Sequence, residues 1–421
     1  MTTTTKSKLI PVEHIRKAQQ KLKGVVTRTP LTHSPNLSRE FGCNIYLKRE
    51  DLQVVRSYKL RGAYNKISSI LKDKAEKGIV AASAGNHAQG VAYSCHALGI
   101  HGKIYMPNPT TRQKIDKVKM FGREYVEIVL TGDTYDDAYR VAMEECRKHD
   151  KVFIHPFEDE KVIEGQGTVG LEILEDMDEP IDFLFLPIGG GGLASGVGSV
   201  FKQLSPATKV IGVEPEGAPA MKESLRQGKV VTLDEIDNFV DGAAVKQVGE
   251  LTFSVCREAL DDMTLVPEGK ICTIILRLYN EEGMVVEPAG ALTISALDFH
   301  RNQIEGKNVV CLVSGGNNDI MRTAEIKERS LLYEGLKHYF IIRFPQRAGA
   351  LREFLNDVLG PTDDICHFEY TKKNSRESGP ALIGIELVKK EDYHGLIQRM
   401  KKFHINYEEV NNNPNLFNYF I

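Results

Sequence analysis

The sequence lacks the features that would tie it to a membrane, a disulfide framework or a nucleic acid. No apolar run approaches the length that spans a bilayer, and the N-terminus has no apolar segment of the kind that a secretory signal needs. The seven cysteines are odd in number and form no C-x-x-C pair, which indicates reduced thiols. A net charge of -3 gives no general attraction to nucleic acid. We therefore expect a cytoplasmic protein.

What the chain does contain, up to about residue 323, is a repeated pattern of apolar strand, glycine-containing turn and helix. Near-continuous apolar strands that alternate with helices predict parallel sheets covered on both faces. There are more such units than one short sheet needs, so the pattern predicts two α/β subdomains, the smaller at about 55–155. The strands are predicted at 78–83, 101–107, 124–130, 181–187, 208–215 and 307–313.

The pattern changes after about residue 327. The order becomes strand, helix, strand, strand, helix, strand, which is the ferredoxin-like βαββαβ plan. We expect a first domain over 1–325, a connecting helix over 326–337 and a small separate domain over 338–421.

A helix predicted to begin near Ser57 carries Lys59 in its first turn. Ser57 could cap this helix, and apolar residues recur after it at helical spacing. A positive charge at this position faces the positive end of the helix dipole. A solvated lysine is the ordinary explanation. The alternative is that the ammonium is destabilised, so that Lys59 spends time as a neutral amine.

Three further turn segments follow apolar strands, at the strand ends where ligands bind in such folds. The first predicts an anion nest for a carboxylate, because successive backbone N–H groups meet there at a helix start. The second is a glycine loop that predicts a phosphate site for the same reason. The first segment is Ser83, Ala84, Gly85, Asn86 and His87. The second is Gly189, Gly190, Gly191, Gly192 and Leu193. The third is Ser314, Gly315, Gly316 and Asn317.

Each of these segments is a weak signal alone. A glycine-rich turn is more often structural or dinucleotide-binding, although this loop does not lie in the first βα unit as that fingerprint requires. His87 alone reads as a helix-start residue, and Ser314 alone as a turn hydroxyl. Together the segments indicate a site for a phosphate that carries an aldehyde. Lys59 would hold the aldehyde, the glycine loop the phosphate, Asn86 a ring hydroxyl and Ser314 a ring nitrogen.

The motifs "SYKLRGA", "SAGNHAQG", "GGGGL" and "SGGN" resemble those of fold-type II pyridoxal-phosphate enzymes, whose fold is like that of the tryptophan synthase β chain. Over nearly its whole length the chain resembles the threonine dehydratases, which are also called threonine deaminases or threonine ammonia-lyases. The resemblance implies pyridoxal 5'-phosphate as cofactor and Lys59 as its covalent partner and catalytic base. It also implies β-elimination of L-threonine to 2-oxobutanoate and ammonia, the first step of isoleucine biosynthesis.

The C-terminal domain resembles the ACT-like regulatory unit of biosynthetic threonine dehydratases, here in a single copy. The resemblance implies inhibition by isoleucine, with valine as a possible opposing ligand, and a homotetramer. Gln346 and Ala348 stand where the family usually has an acid and a proline. A domain that serves only oligomer formation is the alternative.

Departures from related families refine the expected chemistry. Serine racemases carry a serine where this chain has Ala84. They also bind a divalent metal near a segment like the one at Glu214, but Ala220 stands where a carboxylate would be expected. We therefore expect no divalent-metal site and leave a monovalent cation open. Glu287 is expected near the cofactor ring, at a cation site, or simply as a helix-start acid.

Two other functions remain open from the sequence. One is a catabolic dehydratase acting on serine or threonine. The other is a non-enzymatic regulator that binds an amino acid, in which case Lys59 is a surface residue and the purified protein is colourless.

Overall fold

The computed structural model describes residues 7–370, 378–411 and 413. The chain divides into two compact units. The first unit comprises residues 1–268 and 278–319, and the second comprises residues 269–277 and 320–421.

The larger sheet of the first unit has six strands in the order β1-β2-β10-β7-β8-β9. β1 runs antiparallel to β2, and every other neighbouring pair is parallel. The central strands are almost entirely buried, as expected for a parallel sheet with helices on both faces. The strands are Leu31–His33 (β1), Asn44–Arg49 (β2), Phe183–Pro187 (β7), Lys209–Pro215 (β8), Asp262–Val266 (β9) and Asn308–Val313 (β10).

The smaller sheet of the first unit is wholly parallel, in the order β5-β4-β3-β6. The two sheets confirm the predicted pair of parallel α/β subdomains. Strands β1, β2, β6 and β9 were not predicted, because β1 and β6 are very short and β2 and β9 carry charged residues. The strands of this sheet are Ile79–Ala82 (β3), Gly102–Met106 (β4), Val126–Leu130 (β5) and Val152–Phe153 (β6).

Helices connect these strands, and most lie where the apolar periodicity predicts them. The helix of residues 86–98 ends at Gly99, whose left-handed backbone stops it as expected. The α-helices in the described part of the chain are Val12–Leu22 (α1), Pro35–Phe41 (α2), Lys59–Ile67 (α3), Lys72–Glu76 (α4), Asn86–Leu98 (α5), Arg112–Gly122 (α6), Tyr135–His149 (α7), Glu160–Asp176 (α8), Gly192–Leu204 (α9), Ala220–Gln227 (α10), Glu250–Ala259 (α11), Glu268–Glu282 (α12), Pro288–Ser295 (α13), Arg301–Ile304 (α14), Thr323–Glu334 (α15), Ala350–Glu353 (α16) and Asp392–Lys402 (α17).

The second unit contains an antiparallel four-stranded sheet in the order β12-β13-β11-β14. Together with α16 and α17, this sheet has the predicted ferredoxin-like βαββαβ order. The first of these helices is short, because α16 passes into a π-helical turn over Phe354–Val358. The strands are Lys337–Pro345 (β11), Asp364–Tyr370 (β12), Ser378–Glu386 (β13) and Asn406–Glu409 (β14).

A buried ion network anchors helix α3 to α8 and to the segment after β2. The guanidinium of Arg61 is fully buried and donates to both carboxylate oxygens of Glu50 and of Glu172. Glu172 also pairs with the buried ammonium of Lys48 at 2.8 Å. Because Arg61 lies two residues after Lys59, this network fixes the start of α3.

We expect Arg61→Met to lower the free energy of unfolding by about 3–5 kcal/mol, because it leaves two buried carboxylates short of a partner. Arg28→Met is the matched control, since Arg28 is half-exposed and its ion pairs with Glu175 and Asp176 should contribute at most about 1 kcal/mol. Urea unfolding of both variants measures the difference. Equal losses would contradict the account.

Candidate active site

Lys59 is the first residue of α3, but Ser57 does not cap the helix as predicted. The residue before the helix is Tyr58, and it provides no side-chain cap. Ser57 instead pairs with Gly315 in an isolated antiparallel bridge, and its buried hydroxyl has no hydrogen-bond partner. The bridge fastens the segment that precedes Lys59 to the turn after β10.

The amine of Lys59 is partly buried and donates a hydrogen bond to the carbonyl of Pro156 at 3.1 Å. The Tyr58 ring centroid lies 5.4 Å from the same nitrogen. Burial lowers the pKa of Lys59 to about 8, and Glu287 opposes this shift by favouring the ammonium. The structure therefore gives Lys59 the destabilised ammonium that its position in the first turn suggested.

The segment from Ser83 to His87 lies between β3 and α5. The residue before α5 is Gly85, which has no side chain to cap the helix. The first N–H groups of α5 are therefore available to an anion. The ring of His87 points elsewhere, because its Nε2 donates to the carbonyl of Ile154 at 2.8 Å. Burial, followed by the charge of Lys59, lowers the pKa of His87 to about 3. His87 is therefore neutral near pH 7.

The glycine loop lies between β7 and α9. Gly191 adopts a left-handed backbone with φ of 88°, and a Cβ atom at Gly190 would overlap the ring of Phe157. The hydroxyl of Thr252 donates to the Gly190 carbonyl at 2.7 Å. Helix α9 begins without a side-chain cap, so its first N–H groups can receive a phosphate.

Ser314 follows β10, and its main chain meets the segment that leads into Lys59. The Ser314 carbonyl accepts the N–H of Tyr58 at 3.3 Å, and the Gly316 N–H donates to the carbonyl of Arg56 at 2.9 Å. The Ser314 hydroxyl donates to the carbonyl of Ala289 at 3.1 Å. Its oxygen therefore keeps a free lone pair.

Glu287 lies at the start of α13, but its side chain does not cap that helix. Its carboxylate accepts a hydrogen bond from the Asn86 amide at 2.6 Å. Burial raises the pKa of Glu287 to about 7, with a further contribution from Asp241. The position of Glu287 at a helix start agrees with one of its three interpretations, and its side chain lies beside Asn86. A position near the cofactor ring stays a prediction.

The three other predicted segments lie around Lys59. Glu287 interacts with the charge of Lys59 and accepts a hydrogen bond from Asn86. The Ser314 carbonyl accepts the N–H of Tyr58, the residue before Lys59. The connection to the glycine loop runs through Pro156 and Phe157, which sequence reasoning missed. The aromatic and histidine residues of "FIHPFE", at 153–158, could have indicated this part of the site. Their spacing matches no binding motif, so the sequence did not single them out.

Glu214 has a structural role in the protein. Its buried carboxylate accepts the N–H groups of Met221 and Lys222 at the start of α10, at 2.7 and 2.9 Å. Burial raises its pKa to about 8. Across the described part of the chain, no group of three or more His, Cys, Asp or Glu side chains is arranged to hold a metal ion.

Two family models match the chain. Residues 22–315 match the model described as pyridoxal-phosphate dependent enzyme, and residues 328–420 match the C-terminal regulatory domain of threonine dehydratase. The chain is 62% identical over 412 residues to "L-threonine dehydratase biosynthetic IlvA" of Halalkalibacterium halodurans, covering 98% of this chain and 99% of that protein. It is 60% identical over 413 residues to the protein of the same name from Bacillus subtilis, covering 98% of each.

The chain belongs to the biosynthetic threonine dehydratase family. It is therefore a pyridoxal-phosphate-dependent enzyme, and the alternative of a non-enzymatic regulator is wrong. Among solved structures it is similar to the processed form of threonine deaminase isoform 2 from Solanum lycopersicum. The TM-score is 0.73 at 41% identity, over 76% of this chain and 88% of that one. Within the residues that the structure describes, every helix is too short or too polar to cross a membrane.

The residues of this enzyme fit the cofactor. An amine with a lowered pKa suits an aldehyde, and an uncapped helix start behind a glycine loop suits a phosphate. The buried Ser57 hydroxyl, which has no partner, and the free lone pair at Ser314 add polar atoms around the same point. These amine, N–H and hydroxyl groups therefore match the aldehyde, phosphate and polar ring groups that pyridoxal phosphate presents.

We expect acid to destabilise the protein through His87. Its pKa is about 3 in the folded protein and about 6.5 when unfolded, so the stabilising effect is present above pH 6.5 and is lost as pH falls. Between pH 7 and pH 5 the loss from this group should be about 2 kcal/mol. His87→Gln retains a donor for the Ile154 carbonyl but does not titrate. Between pH 7 and pH 5 the unfolding free energy of this variant should therefore fall by about 2 kcal/mol less than that of the wild type. Parallel pH curves would contradict this assignment.

Proposed function

We propose that this enzyme converts L-threonine to 2-oxobutanoate and ammonia and so begins the biosynthesis of isoleucine. The names of the relatives from H. halodurans and B. subtilis support this substrate. The observation that carries the proposal is Lys59, a partly buried amine with a pKa of about 8 beside three strand-end segments. Such an amine is suited to both covalent attachment and proton transfer.

We assign the site residues as follows. Lys59 would bind the cofactor covalently, and Asn86 and Ser314 would contact its ring at the hydroxyl and the nitrogen. The backbone of Gly189, Gly190, Gly191, Gly192 and Leu193 would bind its phosphate. The backbone of Ser83, Ala84, Gly85, Asn86 and His87 binds the substrate carboxylate. When bound, pyridoxal phosphate supplies an electron sink for the negative charge that develops at the substrate α-carbon.

Lys59 moves the protons of the reaction. Burial favours its neutral amine, which at pH 7 is about one tenth of the population for a pKa of 8, against well under one thousandth for an ordinary lysine. This amine accepts the proton from the α-carbon. The ammonium so formed can return a proton to the departing β-hydroxyl, which leaves as water. The enamine product then takes up water, loses ammonia and becomes the 2-oxo acid.

We propose that the C-terminal domain binds isoleucine and lowers activity, with valine opposing it. The match of residues 328–420 to a regulatory domain supports a ligand-sensing role. We propose a catalytic domain, a connecting helix and a regulatory domain at about 1–325, 326–337 and 338–421. In the structure the helix itself is Thr323–Glu334. We also propose a cytoplasmic homotetramer that binds neither nucleic acid nor membrane, on the strength of the family resemblance.

We expect Lys59→Ala to lose the visible absorbance of the bound cofactor and at least about 10³-fold in 2-oxo acid production, because both attachment and base are removed. Lys66→Ala, at the other end of α3, is the control and should retain both.

The pKa of Lys59 predicts how the cofactor-free protein takes up pyridoxal phosphate. The rate of attachment should rise with pH through about 8, as the Lys59 amine becomes neutral. A colourless wild type that cannot be reconstituted with pyridoxal phosphate would refute the site.

We expect isoleucine to reduce the rate at subsaturating threonine, and valine to reverse that reduction. Coupling between two sites of this kind is usually about 5- to 150-fold in affinity. Initial rates over a matrix of both amino acids measure it. An active enzyme indifferent to isoleucine would leave the C-terminal domain with an assembly role.

A further inference from the structure

Four side chains of the first unit form a continuous hydrogen-bond chain through Asn86. The Lys117 ammonium donates to the Asn317 amide oxygen at 3.0 Å. The Asn317 amide nitrogen donates to the Asn86 amide oxygen at 2.7 Å, and the Asn86 amide nitrogen donates to the Glu287 carboxylate at 2.6 Å. The chain joins helices α5 and α6 beside the small sheet to the turn after β10 and the start of α13.

The lysine end of this chain fixes its direction. A lysine ammonium has only donors and an amide nitrogen only donates, so the chain must end on an accepting oxygen of Glu287. Each asparagine between them must therefore turn its oxygen toward Lys117 and its nitrogen toward Glu287. Hydrogen bonds with a charged group at either end are also the stronger ones, and successive bonds polarise one another.

Other contacts hold the links of the chain in place. The Asn317 amide nitrogen also donates to the carbonyl of Val55 at 2.9 Å. The carboxylate of Glu287 is buried and receives a further hydrogen bond from the backbone of Asn317. Gly315 leaves room for that carboxylate, since a Cβ atom there would overlap it.

These contacts use one N–H and one lone pair of the Asn86 amide and leave one of each. We propose that Lys117, Asn317 and Glu287 are positioning residues that set the Asn86 amide so that its remaining N–H faces the oxygen of the bound cofactor ring. The inference rests on the proposed role of Asn86, and it adds what orients that residue.

The test is Asn317→Asp, which exchanges one N–H₂ for an oxygen of nearly the same size. The new carboxylate can still accept from Lys117, but it cannot donate to Asn86, so the direction of the chain is broken. We expect the dissociation constant for pyridoxal phosphate to rise by about 10- to 100-fold and the absorption maximum of the bound cofactor to shift.

Asn44→Asp is the matched control. Asn44 also donates its amide to another asparagine, Asn308, at 2.9 Å, but at the amino ends of β2 and β10, away from the site. Thermal unfolding of the cofactor-free proteins shows whether each variant is folded. A residue with a purely structural role would lower that unfolding temperature and leave the cofactor affinity and spectrum of the folded protein unchanged.

A second pair of variants tests the other end of the chain on a partly exposed side chain, where folding is less at risk. Lys117→Met removes the terminal donor and should weaken cofactor binding by about 3- to 10-fold, whereas Lys117→Arg retains a donor and should bind as the wild type does. The proposal is overturned if the folded Asn317→Asp and Lys117→Met variants match Asn44→Asp in cofactor affinity and spectrum.

Cofactor binding and its spectrum are measured without substrate. These two measurements therefore decide the positioning proposal independently of the reaction. A wild type that binds pyridoxal phosphate but makes no 2-oxobutanoate from threonine would refute the proposed function and leave the positioning test intact.

Discussion

Burial of the Lys59 amine is the constraint on which the rest of the site depends. A desolvated ammonium is costly, and the cost lowers the pKa of the amine toward the working range of a base. Contacts on both sides of the start of α3 hold the amine in this position. The buried network of Arg61 fixes it from one side, and the bridge between Ser57 and Gly315 fixes the chain that enters it.

The same constraint explains the close packing around the site. Gly90 of α5 lies against the backbone of Lys59, where a Cβ atom would be 3.1 Å from the Lys59 carbonyl oxygen. Arg56, just before the helix, has a left-handed backbone with φ of 59°, and its carbonyl accepts the N–H of Gly316. A non-glycine residue held in this conformation stores strain, which such surrounding contacts must support.

Much of this arrangement could be predicted from the sequence, because the relevant signals are local. Buried strands such as "DFLFLP" followed by glycine turns predict parallel sheets, and their carboxyl ends predict where Lys59, Asn86 and Ser314 meet. The C-terminal βαββαβ order follows from strand and helix periodicity alone. The family resemblance supplied the cofactor and the reaction, which spacing did not.

The features that were missed depend on contacts distant in sequence. Nothing local shows that the carbonyl of Pro156 receives the Lys59 amine, or that Phe157 fills the space beside Gly190. Serine is a common helix cap, yet Ser57 pairs with Gly315 in a β-bridge instead of capping α3. Asn317 was part of a recognised motif, but only the fold brings it between Lys117 and Asn86.

The most direct test of the central claim is to treat the purified holoenzyme with borohydride, which makes the link between an amine and the cofactor aldehyde permanent, and to locate the modified residue by peptide mass mapping. The account predicts that the cofactor is attached to Lys59 and to no other lysine. Attachment at a different lysine, or a cofactor that remains removable after reduction, would contradict it.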